Sequence, residues 1–142
     1  MLALLEQAAW MEHEAAIARF DEVMRLAGEF EFAGVGMKAG LLRAERLHRE
    51  NRSDEAATAL RDLLPRVERV PPADMYRAEA WWVAVRVFDA CGANEDAMAA
   101  LAQGSRWIRQ VALPHVPDAF RESFLHRNPT HRALLAAARR LA

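Results

Sequence analysis

Glu45 and His48 stand three residues apart, so on a helix both side chains share one face, the arrangement of the Glu-x-x-His motif in di-iron bundles. A working centre of that kind takes two such motifs and two further inward glutamates. The nearest second pair, Glu122 and His126, is four residues apart. A helical-bundle metal enzyme using Glu45 and His48 therefore stands as an alternative, and a solvated or groove-facing pair is the expectation. His115, His126 and His131, at spacings of 11 and 5 and without a neighbouring cysteine, match no compact zinc set, so capping and surface roles are expected. Cys91 follows Phe88 in the most apolar stretch and is expected to pack in the interior rather than react. Gly34 and Gly36 lead into Met37-Lys38 without the spacing or the Ser/Thr of a phosphate loop. No catalytic residue and no cofactor is expected.

Two further groups bear on partners. His126, Arg127, Arg132, Arg139 and Arg140 form a modest C-terminal basic patch, the basis of a second alternative, a weak nucleic-acid-binding module. The last two arginines are also accounted for by the negative end of a helix. Trp10, Trp81, Trp82 and Trp107 suit core or groove contacts at helical spacing better than base stacking.

The elements that position these residues follow from composition and pattern. The chain has 142 residues, 53% of them hydrophobic and 27% charged, with a formal net charge of -1. That is enough polymer for one domain's core, and the charge balance gives no global reason to seek nucleic acid or an anionic membrane. No apolar run approaches membrane-spanning length, the start (MLALLEQAAW) lacks a basic leader, and one cysteine makes no internal disulfide. A cytoplasmic location is expected. Thirty alanines favour helices over sheet, because alanine loses no side-chain entropy in a helix.

Apolar residues recur at spacings of three and four in successive segments. A short helix over 1–10 is followed by one over 13–28, with Ala16, Ile17, Phe20, Val23, Met24 and Ala27 inward. EFEFAGVG reads as a turn into a helix over roughly 35–50. Ser53 is expected to cap the next helix, which Pro65 should bend or divide before the stop at Pro71-Pro72. Asp74 and Asn94 are expected to cap helices over about 73–91 and 95–112, separated at Gly92. A short helix around DAFRESFL precedes a last one over about 129–141, capped by Asn128 and buried through Leu134, Leu135, Ala138 and Leu141. Eight helical segments and no strand result.

The chain also repeats itself. NRSDEAATALRDLL from Asn51 lies over GANEDAMAALAQGS from Gly92 at an offset of 41 residues, and a weaker copy lies 40 residues earlier. Equal offsets of helix pairs are what stacked helical hairpins produce. Trp81, Ala84, Val85, Phe88, Gly92, Ala97, Leu101 and Gly104 resemble the tetratricopeptide pattern. The matching earlier positions are Gly40, Arg43, Ala44, Leu47, Asn51, Ala56, Leu60 and Leu63, with Arg43 departing from it. That resemblance implies an all-α fold, a short right-handed solenoid of antiparallel hairpins in one domain over 1–142, with repeats near 1–33, 34–72 and 73–113 and capping helices over 117–141.

Pro117, Arg121, Ser123, Phe124, Leu125, Pro129, Arg132, Leu134 and Leu135 resemble the ending of helical-repeat regions in large bacterial signalling proteins, namely ATPase-containing transcription regulators and nucleotide cyclases. The resemblance implies a non-catalytic sensing or protein-contact scaffold, either an excised piece or a stand-alone relative. In hairpin stacks the first helix of each pair lines the concave face. That geometry nominates Lys38, Leu41, Glu45, His48 and Arg49 from one unit and Glu79, Trp82, Arg86 and Asp89 from the next as a groove for a protein or peptide. Trp81 and Trp82 diverge by about 100° on a helix, so only one of them can face such a groove. Packing of Trp82 against a neighbouring repeat or another chain is the competing expectation. Finally, the apolar residues of 1–11 lie on a short helix with no full hairpin partner of its own, which predicts a homodimer through the N-terminal hairpin rather than a monomer whose first helix folds back.

Overall fold

Alanine-rich segments with a single apolar stripe need a second helix to cover that stripe, and the chain satisfies this by reversing direction in three-residue turns at 30–32, 50–52 and 91–93. The computed structural model describes residues 1–141, and the Leu141 side chain, expected to face inward, lies outside the described ones. Eight α-helices and no strand occur among the described residues. The contacts divide the chain into two units, Met1–Arg77 and the segment from Ala78 onward.

In the first unit α1 (Leu2–Ala8), α2 (His13–Glu29), α3 (Ala33–Arg49) and α4 (Ser53–Leu63) pack consecutively, each on the next. Leu5 and Ala8 of α1 are buried with Ala16, Phe20 and Val23 of α2 and Ala39 of α3. Residues 1–11 therefore do have a partner within the unit: α1 folds onto α2 through Leu5 and Ala8, while Leu2 and Trp10 stay exposed. Pro65 divides the following helix as its missing N–H requires, so α4 ends at Leu63 and a 3-10 turn spans Leu64–Arg66. Ion pairs bind the helices laterally. Arg43, the residue that departs from the repeat pattern, donates from Nε to Asp21 on α2 at 2.8 Å. Arg46 donates from Nε to Glu50 at 2.7 Å and from Nη2 to the Met11 carbonyl at 2.8 Å, tying the end of α3 to the α1–α2 turn.

In the second unit α5 (Arg77–Ala90) is buried over most of its circumference, through Ala78, Ala80, Trp81, Val83, Ala84, Val85, Val87 and Phe88. The helix expected over 95–112 is α6 (Asn94–Arg106), which widens into a π-helical stretch, Trp107–Ala112, and closes with a 3-10 turn at Leu113–His115. α7 (Arg121–Arg127) and α8 (Pro129–Leu141) form the last pair, with α8 also packed on α6. Asn128 caps α8 as expected, its Oδ1 accepting from the Thr130 and His131 N–H groups at 2.9 and 3.2 Å.

Three of the turns are one structure repeated. Glu31, Asn51 and Gly92 each take a left-handed φ, of 57°, 61° and 71°. The next residue's N–H then reaches back five positions: Phe32 to the Ala27 carbonyl, Arg52 to Leu47 and Ala93 to Phe88, at 2.8, 2.9 and 2.9 Å. This is the Schellman ending of a helix, for which glycine is the unstrained choice and asparagine the next. The same residue, 32, 52 or 93, is also the N-cap of the following helix. Ser53 and Asn94 therefore are not caps, correcting the expectation. The shared turn places each of them inside the helix as its first residue, and neither helix start carries a side-chain cap bond. Asp74, also expected to cap, sits at φ 49° in the turn before α5.

The two central hairpins share one more contact, with its members exchanged. A Cβ built on Gly40 of α3 would lie 2.8 Å from Leu63 Cδ1 on α4. A Cβ built on Gly104 of α6 would lie 2.9 Å from Trp81 Cβ on α5. Gly40 and Trp81 are 41 positions apart, as are Leu63 and Gly104. In one hairpin the first helix is small and the second large; in the other the sizes are reversed, and the helices approach closely in both.

Candidate functional site

The residues nominated for a groove fall on two helices, five on α3 and four on α5. On α3 the buried positions are Met37, Ala39, Gly40, Leu41, Ala44 and Leu47. Leu41 is fully buried, which removes it from any ligand-facing surface. The expectation placed it one position off: Lys38, Leu42, Glu45 and Arg49 recur at spacings of four, three and four and share a stripe, whereas Leu41 points about 60° away, into the core. Leu42, missed from sequence, is only partly buried and is the apolar member of that stripe. Arg49 Nη2 lies 3.4 Å from Glu45 Oε1. His48 turns aside to the α3–α4 turn, its Nδ1 3.0 Å from Ser53 Oγ. Lys38 is half-buried.

On α5 Glu79, Trp82 and Arg86 are half-buried and Asp89 is exposed. Their spacing of three, four and three puts them on one face. Trp81 points elsewhere and is fully buried, its ring centroid 5.7 Å from that of Trp107 and its Nε1 donating to Gln103 Oε1 at 3.4 Å. The divergence of the two adjacent tryptophans is resolved: Trp81 belongs to the core and Trp82 to the surface.

The candidate metal ligands do not assemble. Glu45 is engaged by Arg49 and His48 by Ser53. Among the described residues no group of three or more His, Cys, Asp or Glu is arranged to hold a metal ion. Glu122, His126 and His115 are exposed. Cys91 is half-buried rather than interior, and its thiol donates to the Phe88 carbonyl at 3.4 Å.

His131 is corrected from a surface residue to a buried one. It sits edge-on to Phe124, with ring centroids 4.3 Å apart, and its Nδ1–H donates to the Phe124 carbonyl at 2.6 Å. A carbonyl only accepts, which fixes the tautomer. Burial holds this imidazole below its ordinary 6.5, partly offset by that hydrogen bond. The folded chain therefore binds the proton more weakly than the unfolded chain. Its stability is undiminished by this group above pH 6.5 and falls as the pH drops below that value toward the lowered pKa. Urea unfolding at about pH 7.5 and about pH 5.5 is expected to show that loss, and His131→Leu should shrink the difference between the two conditions. An unchanged difference would assign the acid sensitivity elsewhere.

The basic patch has a shape. His126, Arg132 and Arg139 line an open depression of about 250 Å³ whose remaining lining is Leu125, Leu135 and Ala136. Arg132, Leu135, Ala136 and Arg139 share one face of α8. Such a surface accommodates an acidic group beside an apolar one.

Comparison with known proteins finds no match, whether among family models, curated proteins or solved structures. Function therefore rests on this chain's own geometry. No helix of the described residues is long and apolar enough to cross a membrane.

Proposed function

We propose that the chain is a non-catalytic scaffold for protein or peptide binding, made of stacked tetratricopeptide-like hairpins and serving cytoplasmic bacterial signalling or transcription regulation. The observation that carries the reading is the exchanged contact, Gly40 against Leu63 and Trp81 against Gly104, in hairpins that also share their Schellman turn. Repetition of one hairpin supports a repeat scaffold, because a repeat adds surface without changing the packing that holds it. In such scaffolds the first helix of each pair meets the ligand. The stripe Lys38, Leu42, Glu45, Arg49 on α3 and the face Glu79, Trp82, Arg86, Asp89 on α5 are the surfaces offered. Each mixes both charge signs around one apolar residue, the composition of an anchor with a polar rim.

Selection of peptides from a displayed library against the full chain tests this. Selected peptides should lose at least about tenfold in affinity with Trp82→Ala, about 1.4 kcal/mol. The thermal midpoint should fall by only a few degrees, because Trp82 is half-buried. Selected peptides that bind Trp82→Ala as well as wild type would remove α5 from the site. Stoichiometric iron, manganese or zinc in the purified protein would favour the metal-enzyme alternative instead. Strongly salt-dependent retention on immobilised nucleic acid would favour the basic patch.

A further inference from the structure

Charge is unevenly distributed along the chain. The formal net charge is only -1, yet every Asp and Glu lies at or before Glu122, and four arginines follow without one. Three basic side chains of this last stretch, His126 of α7 and Arg132 and Arg139 of α8, line the open depression of about 250 Å³. The rest of its lining is Leu125, Leu135 and Ala136, so no carboxylate enters it. The cleft of the first unit, to which Met24, Met37 and Val70 contribute, carries Glu31 as well as Arg66 and selects neither sign of charge. The depression on α7 and α8 selects one.

These basic groups are also unspent. Arg43, Arg46 and Arg52 of the first unit are each held by a carboxylate. The side chains of His126, Arg132 and Arg139 form no ion pair or hydrogen bond with a described residue. Arg139 lies in the last turn of α8, where the helix favours a cation, but Arg132 is its fourth residue, near the positive end. An anionic occupant gives a cation at that position its reason. Arg132 and Arg139 stand two turns apart, about 10 Å along the axis, with Leu135 and Ala136 between them. No Phe, Tyr or Trp lines the depression for a base to stack on, and a bare phosphate would leave its aliphatic part uncovered.

We propose that this depression binds an acidic peptide: a helical segment of a partner protein lays apolar side chains on Leu125, Leu135 and Ala136 and sets one carboxylate against each of Arg132 and Arg139. A helix lying along α8 repeats its face at the same interval. Carboxylates seven residues apart, with apolar residues three and four after the first, therefore match the order Arg132, Leu135, Ala136, Arg139. Arginine holds a carboxylate through two parallel N–H donors, which fixes the register. The site shares no residue with the faces offered by α3 and α5 and does not rest on them.

Fluorescence anisotropy tests the proposal on the full chain, with a labelled helical peptide built around Glu-x-x-Leu-Leu-x-x-Glu and glutamine and alanine elsewhere. It should bind in the micromolar range at low salt. Glutamine in place of its glutamates, or serine in place of its leucines, should weaken binding at least about tenfold. Arg132→Glu and Arg139→Glu, both at exposed positions, should each cost about tenfold with no fall in the thermal midpoint. The combined variant should instead take the peptide that carries arginine in place of both glutamates. No binding at millimolar peptide, equal binding of the glutamine peptide, or a combined variant without the exchanged preference would each overturn the proposal. Tighter binding of a single-stranded oligonucleotide or of phosphatidylserine vesicles, lost in the same variants, would assign the patch to a polyanion and overturn it as well.

Discussion

A Trp81→Ala chain is expected to lose about 3–5 kcal/mol of folding free energy, the upper end of what one side chain contributes. Trp81 is fully buried, packs against Trp107, donates to Gln103 and fills the space left open by Gly104. Alanine leaves a void bordered by helix backbone that can close only partly. Set against a typical total of about 5–15 kcal/mol, such a loss leaves the second unit marginal near 37 °C. Urea unfolding followed by circular dichroism measures it. The adjacent Trp82→Ala should cost about 1–2 kcal/mol, since that ring is half in solvent. Equal losses at the two positions would mean that the division between core and surface tryptophans is misplaced.

Gly104→Leu is expected to destabilise from the opposite direction, by overfilling. The first carbon of the new side chain would lie 2.9 Å from Trp81 Cβ and 3.3 Å from both Trp81 Cγ and Leu134 Cδ1. α6 must then move away from α5 and α8 together, at a cost of about 3 kcal/mol. Gly28→Ala is the matched control, a glycine with open space around it, and should gain up to about 1 kcal/mol. A Gly104→Leu chain as stable as wild type would show that the close approach is not maintained in solution.

Most of the helical framework was legible in the sequence because its signals are local. Pro65, Gly92 and Asn128 act on their own turns whatever the rest of the chain does, and apolar spacing identified the segments that became α1 to α8. The errors came where two elements share a residue or where one position decides a face. Ser53 and Asn94 are good cap residues by type, but Arg52 and Ala93 both close one helix and open the next, which shifts the cap by one. Leu41 and Leu42 are the same amino acid 100° apart on the helix, and each stands three or four residues from both Lys38 and Glu45, so spacing could not choose between them; burial of Leu41 in the fold does. His131 lies among polar neighbours in sequence and is buried only because α7 folds Phe124 over it. The cleft lined by Met24, Met37 and Val70 draws on separate segments, and no one segment announces it. The exchanged pair was visible as letters, Gly over Trp and Leu over Gly at one offset, but reads as two unrelated departures until the structure shows that the members touch.

That exchange provides the most direct measurement, a double-mutant cycle on Trp81→Gly and Gly104→Leu. Together the substitutions write the first hairpin's small-then-large pair, Gly40 and Leu63, into the second hairpin. If the hairpins repeat one geometry, leucine at 104 enters the space vacated at 81. The combined variant should then be more stable than the sum of the single losses by at least about 1 kcal/mol in urea unfolding. It should remain below wild type, because leucine does not replace the contact of Trp81 with Trp107. Additive losses, or a combined variant worse than their sum, would contradict the equivalence of the two hairpins and with it the repeat scaffold.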